Sequence, residues 1–221
     1  MSKAELAGVI DHAFLKIDEE TVAESLRRAV DETISYGFRS LVVHPTLVGT
    51  IKSHHPNLRI GTVISYPLGC DTTEAKIYAI GEAAERGADE VDVVLDLFAV
   101  RASNLRKTAV EARRLVDAAH ASGLAIKLIL ETPILDEPQI RMLTRAILPA
   151  GADFWKTSTG YGRKPTPLSH VRLLSLLAPE DVRIKASGGF KTLVDVTRAL
   201  KEGAAVVGTS SSAAIMKEAG F

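Results

Sequence analysis

Short β-branched runs alternate with longer amphipathic stretches from one end of the chain to the other. Strand-like runs are Leu41-Val42-Val43, Ile60 to Ile64, Val91 to Leu95, Ile126 to Leu130, Asp153 to Thr157, Val182 to Lys185 and Val206 to Gly208. A weaker eighth lies at Gly8 to Asp11. Between them, apolar positions recur with helical spacing over Glu19 to Tyr36, Thr73 to Arg86, Asn104 to Ala121, Glu137 to Leu148, Leu168 to Leu177 and Leu193 to Glu202. Gly37, Gly87, Gly123, Gly151 and Gly203 each follow a helical stretch and precede a strand, where a left-handed residue commonly ends a helix. Gly87-Ala88-Asp89, Gly151-Ala152-Asp153 and Gly203-Ala204-Ala205 read alike, which shared turn chemistry explains as well as duplication does.

Eight strands alternating with helices in 221 residues predict an α/β protein, a (β/α)8 or TIM barrel. It is expected as a single domain over residues 1–221 with a short N-terminal helical segment, since no Pro/Ser-rich linker divides the chain. The competing fold is an open doubly wound sheet. That fold commonly carries a Gly-x-Gly-x-x-Gly turn after its first strand, and none is present there.

Composition narrows the partners. Lys+Arg and Asp+Glu number 27 each, so a nucleic acid or an acidic membrane surface loses its usual electrostatic attraction. A single cysteine, Cys70, excludes an internal disulfide and a Cys-based zinc cluster and suits a reducing compartment. The N-terminus lacks the apolar run of a signal peptide, and no stretch approaches the roughly 20 apolar residues that span a bilayer. A soluble cytoplasmic protein is the expectation. His12, His44, His54, His55, His120 and His170 show no His-x-His or His-x-x-x-His spacing, so no metal site is expected.

Charged residues inside the strands are the anomaly. Lys156 and Lys185 sit near the C-terminal ends of two consecutive strands, the catalytic face of barrel enzymes, and Asp92 lies among Val91, Val93 and Val94. A buried ion-pair network is one account. Schiff-base chemistry is another, because a lysine amine attacks a carbonyl only when deprotonated. Bringing a lysine from about 10.4 to near 7 requires roughly 4 kcal/mol. A second ammonium about 5 Å away supplies about 3 kcal/mol at an effective dielectric near 20, and desolvation adds to it. Asp92 could then move protons as the carbinolamine forms and breaks down. Lys127 and Glu131 could extend the polar network or merely line the barrel.

Two glycine-containing segments, Ser187-Gly188-Gly189 and Gly208-Thr209-Ser210-Ser211, follow the last two strands, where barrel enzymes often bind phosphate. Glycine lets backbone amides approach an anion, and a short helix after Ser211 would add its dipole. Gly160, Gly162, Arg163, Lys164 and Lys191 could assist or simply turn or solvate the chain. From residues alone, three readings remain: a Schiff-base aldolase, a phosphate-binding isomerase or epimerase with Asp92 as base, and a non-catalytic sugar-phosphate-binding barrel.

The segment Gly151-Ala152-Asp153-Phe154-Trp155-Lys156-Thr157-Ser158-Thr159-Gly160 resembles the Schiff-base segment of the 2-deoxyribose-5-phosphate aldolase family. Gly87 to Val94 is similar to that family's aspartate strand, and Ile184 to Gly189 to its second-lysine strand. Ile10-Asp11-His12, Tyr66-Pro67-Leu68-Gly69, Leu130-Glu131-Thr132 and Gly208 to Ser211 extend the resemblance from residue 10 to residue 211. It implies a class I lyase, free of cofactor and metal, that reversibly cleaves 2-deoxy-D-ribose 5-phosphate to D-glyceraldehyde 3-phosphate and acetaldehyde. By position, Lys156 would form the imine, Lys185 would tune it and share in proton transfer, and Asp92 would relay protons. Gly188, Gly189, Gly208, Ser210 and Ser211 would hold the phosphate. The resemblance also implies a homo-oligomer, a dimer or tetramer. Departures from the family pattern are Ala186-Ser187 before the Gly-Gly pair, Phe190-Lys191 after it, His44 in place of asparagine and Asp96 in place of an uncharged residue. The chain ends at Phe221, where some members carry a tail with a tyrosine that assists proton transfer; that contribution is not expected here. These departures bear on substrate preference and rate rather than reaction type.

Overall fold

A computed structural model describes residues 1–15 and 21–221. The β-branched runs become eight strands: β1 Ile10–Phe14, β2 Ser40–Val43, β3 Ile60–Ile64, β4 Glu90–Val94, β5 Ala125–Ile129, β6 Phe154–Lys156, β7 Arg183–Ser187 and β8 Val206–Thr209. Each pairs in parallel with the next, and β8 returns to β1, closing the barrel expected from the sequence. The helices are α1 Lys3–Ala7, α2 Val22–Tyr36, α3 Pro45–His54, α4 Thr73–Glu85, α5 Leu97–Arg101, α6 Leu105–Ala121, α7 Glu137–Ile147, α8 Leu168–Leu177, α9 Leu193–Lys201 and α10 Ser212–Glu218. None among the described residues is long and apolar enough to cross a membrane.

Local chemistry accounts for the helix ends. Ser2, Asp136 and Thr192 each form a reciprocal capping box with the residue three positions on. Gly37 closes α2 at φ +73°, with its N–H donated to the Thr33 carbonyl, a conformation that a Cβ disfavours. The first two residues of the stretch expected to be helical from Glu19, Glu19 and Glu20, lie outside the described residues, and the described helix begins at Val22. Two helices were not anticipated. In α3, Pro45 reads as a turn signal from sequence but occupies the first turn, where its missing N–H is harmless. The other, α5, is a five-residue turn of helix that Asp96 starts by accepting from Phe98 and Ala99 N–H.

Period-two alternation sorts each strand into an outer and an inner face. Val91, Val93, Ile126, Leu128, Trp155, Ile184 and Val207 join the continuous apolar core shared with the helices. Their neighbours point into the barrel, and many carry charge: Asp11, Glu90, Asp92, Lys127, Lys156 and Lys185 are all buried, at most 3% exposed. Barrel interiors are usually filled with branched aliphatic layers. Here an ionic core stands in their place, with a small apolar cluster of Leu15, Val42 and Val63 beside it.

Candidate active site

Register brings the two lysines together. Lys156 on β6 is paired directly with Lys185 on β7, so they are neighbours on adjacent strands rather than facing each other across the barrel mouth. Both donate to the same oxygen, Asp92 Oδ2, at 2.7 Å and 2.8 Å. Their nitrogens therefore lie at most about 5.5 Å apart, close to the separation at which like charges repel by several kcal/mol at low effective dielectric.

These contacts push the two lysines in opposite directions. Burial brings the Lys156 ammonium down to about 8, with Lys185 and Lys127 adding to the effect and Asp92 opposing it. The order of causes differs from the sequence-based expectation, in which the second ammonium does most of the work. Burial opposes the charge on Lys185 too, but Asp11, Asp92 and Glu90 outweigh it and hold this lysine above the ordinary range. Asp92 is fully buried, yet Lys127, Lys156 and Lys185 hold it well below the usual carboxylate range. Near neutrality about a tenth of Lys156 is free amine, against about one part in a few thousand for an ordinary lysine, and it stands beside an ammonium and a carboxylate, a set able to attack a carbonyl and move protons around the adduct.

A cavity of about 250 Å³ opens above these groups and is lined by Lys156, Lys185, Gly188, Gly189, Gly208 and Ser210, among others. The two segments expected to cradle phosphate therefore meet beside the amine. Ser211 lies outside the lining; its N–H is donated to Thr209 Oγ1 and it precedes α10. Gly160, Gly162, Lys164 and Lys191 also reach the cavity, and Arg163 does not. Gly188 has φ +93°, and a Cβ there would stand 2.2 Å from Ser158 Oγ. A Cβ on Gly208 would stand 2.9 Å from Lys185 Cε, so this glycine leaves room for the second lysine as well as for a ligand. Thr166 N–H bonds the Gly188 carbonyl, and Thr166 Oγ1 bonds the Ser187 carbonyl, tying the loop after β6 to the loop after β7.

Several charged residues reach the site without having been singled out as functional from sequence. Glu90 lies two positions before Asp92 on the same face of β4, a period-two signal that was readable. Asp11 is signalled in the sequence only by the family resemblance, and Arg39 gives no local signal. Lys127 does join the network, 2.8 Å from Glu90 Oε1 and 3.0 Å from Asp92 Oδ1. Glu131 does not: its Oε2 accepts the Thr159 N–H at 2.8 Å and supports the loop after β6. Asp96 is accounted for by capping α5 and pairing with Lys107 at 2.6 Å. His44 contacts the Leu15 carbonyl at 2.9 Å and packs edge-on to Tyr66, which lines the cavity.

Comparison with known proteins agrees with this chemistry. A family model described as DeoC/LacD family aldolase matches residues 6–218. The deoxyribose-phosphate aldolase of Micrococcus luteus is 37% identical over 224 residues, covering 98% of this chain and 97% of its own length. That of Thermus thermophilus is also 37% identical, with 96% of each chain covered. The solved structure of the tetrameric deoxyribose phosphate aldolase from Aeropyrum pernix has a TM-score of 0.90 at 32% identity, covering 99% of this chain and 92% of that one. With fold, lysine pair and near-complete sequence match in agreement, the chain belongs to the DeoC/LacD family of aldolases.

Proposed function

We propose that the protein cleaves 2-deoxy-D-ribose 5-phosphate reversibly to D-glyceraldehyde 3-phosphate and acetaldehyde through an imine on Lys156. The observation that carries this reading is the buried Lys156 amine, brought down to about 8 and 2.7 Å from Asp92, beside a glycine-lined cavity. The deoxyribose-phosphate aldolases that match the chain over nearly its whole length support the substrate. So does the apolar side of the cavity. Val42 on β2 is four strands from β6 around the barrel, and Leu15 and Ala13 lie beside it, a surface suited to a carbon that bears no hydroxyl.

Chemistry follows from the protonation states. Lys156 Nζ adds to the C1 aldehyde, and loss of water gives the imine. The C2–C3 bond then breaks: its electrons flow toward the iminium to give an enamine, the C3 hydroxyl surrenders its proton, and glyceraldehyde 3-phosphate leaves. Protonation at C2 and addition of water release acetaldehyde and restore the amine. Asp92, as carboxylate, accepts and passes on protons, and Lys185, as ammonium, donates them. Gly188, Gly189, Gly208 and Ser210 hold the phosphate, with Ser211 supporting the turn. Lys164 and Lys191 supply positive charge at the cavity. The tetramer reported for the Aeropyrum pernix relative supports a homo-oligomer.

Glyceraldehyde 3-phosphate release, coupled to a dehydrogenase, measures the reaction, and borohydride with acetaldehyde present is expected to tag Lys156. A tag on another residue, or none, removes the assignment. The acid limb of kcat/KM should follow the free amine of the unliganded enzyme. Activity is expected to rise about tenfold per pH unit below pH 8 and level off above it. A rate flat from pH 6 to pH 9 would contradict a titrating nucleophile.

A further inference from the structure

The charged interior is ordered as a cycle. Arg39 bridges Asp11 and Glu90; Lys127 bridges Glu90 and Asp92; Lys185 bridges Asp92 and Asp11. Three carboxylates and three cations thus alternate around a closed ring, each touching two ring members of opposite sign. Lys156 is outside the cycle and, among the described residues, touches one carboxylate, Asp92.

We propose that this ring neutralises itself and leaves Lys156 as the surplus cation, and that Glu90 and Lys127 are positioning residues that together set the pH at which the Lys156 amine loses its proton, Lys127 favouring the loss and Glu90 opposing it. The inference rests on the imine role proposed above for Lys156. Neither Glu90 nor Lys127 lines the cavity, so neither touches substrate. Lys127 Nζ lies at ion-pair distance from both carboxylates without hydrogen-bond geometry to either, so it acts chiefly through its charge. By occupying the Oδ1 side of Asp92 it leaves Oδ2 to the two lysines. Counting the ring with Lys156 protonated gives three negative and four positive charges. Losing one proton brings the buried set to neutrality, and the cation with a single partner gives it up most readily.

Among the described residues, few other charges can alter this count. Arg59 reaches Glu90 at 3.2 Å from a half-exposed position, where solvent screens it. Arg183, at the start of β7, stacks on Phe154 at 4.1 Å from the ring centre. Facing Asp11 on β2 is the neutral Ser40, whose hydroxyl bonds Asp11 Oδ1. β3 presents Gly61, where a Cβ would stand 3.3 Å from Glu90 Oε1, and β8 presents Gly208 beside Lys185. Tyr66, Lys164 and Lys191 face the cavity from loops.

Opposite charge changes in the ring should move Lys156 in opposite directions. Removing a cation, Lys127→Met, leaves three carboxylates to balance and should keep Lys156 protonated to higher pH. Removing an anion, Glu90→Gln, should discharge it at lower pH. The measurement is the pH dependence of Lys156 acetylation by acetic anhydride, followed by mass spectrometry of its peptide. It reads the amine directly and does not depend on turnover. Expected displacements are about one to two pH units upward for Lys127→Met and downward for Glu90→Gln, with the double variant returning to the wild-type midpoint. Folded variants whose midpoints stay put, or move the same way, overturn the proposal. If neither variant folds, the charge-keeping Lys127→Arg and Glu90→Asp variants decide: midpoints within about half a pH unit of the wild type support the ring, and a larger displacement in either overturns it. Absence of borohydride trapping on Lys156, with the acetylation midpoints moving as described, would instead defeat the imine assignment and leave the ring intact.

Discussion

Lys156→Met is expected to abolish aldol cleavage and, at pH 7, to raise the melting temperature. Loss of the nucleophile removes the covalent route altogether, and kcat should fall by about 10⁴-fold or more. The gain in stability has a separate origin. Lys156 is buried and its amine is brought from 10.5 to about 8 on folding, so below pH 8 the folded protein carries a charge it would rather release. That difference corresponds to about 3 kcal/mol against the folded state. Asp92 keeps Lys127 and Lys185 as partners after the substitution, so no carboxylate is left bare. A methionine of similar length should recover about 1–3 kcal/mol, or a rise of about 3–10 °C in a domain of this size. The advantage should shrink as pH rises from 8 toward 10.5, because wild-type Lys156 then loses its proton in the folded state before the unfolded one does. Calorimetry at pH 7 and pH 10 tests both parts. A lower melting temperature at pH 7 would mean that the Lys156–Asp92 contact stabilises the fold more than burial of the charge opposes it.

Asp92→Asn is expected to separate imine formation from turnover. The substitution takes away the anion shared by three lysines, leaving Asp11 and Glu90 against four cations. Breaking so buried a set should destabilise the protein by about 3–5 kcal/mol. The Lys156 amine nevertheless becomes easier to deprotonate, since Asp92 is what opposes the effect of burial on it. Borohydride trapping with acetaldehyde at pH 7 should therefore persist, while cleavage of the sugar phosphate falls by about 10²–10⁴-fold for want of the proton acceptor. A variant that turns over within tenfold of the wild type would deny Asp92 its place in proton transfer. One that loses trapping and turnover together would make Asp92 a residue of imine formation alone.

Legibility of the fold varied by element. The strands and six longer helices were readable because burial imposes a period of two or 3.6 on side chains that local chemistry must also cap. α3 was missed because Pro45 reads as a stop, although it is compatible with a helix start, and α5 because five residues carry too little periodicity to detect. In the site, Lys156, Lys185 and Asp92 stood out as charges in otherwise apolar strands. The glycine pair and Gly208 were readable as a cradle, but nothing local distinguished Ser210, which reaches the cavity, from Ser211, which does not.

The sequence by itself determined the alternation of strands and helices, the face of β4, β5, β6 and β7 that carries charge, and hence the kind of chemistry available at the barrel's end. The pattern of residues did not by itself say which of the buried cations gives up its proton, although the family resemblance pointed to Lys156. Only closure of the barrel decides that, by bringing Asp11 from the first strand against Lys185 from the seventh, and Arg39 between Asp11 and Glu90. The reason is physical: side-chain periodicity is a property of neighbouring residues, whereas a buried charge responds to every other charge within a few ångströms, and those distances exist only once the strands have met.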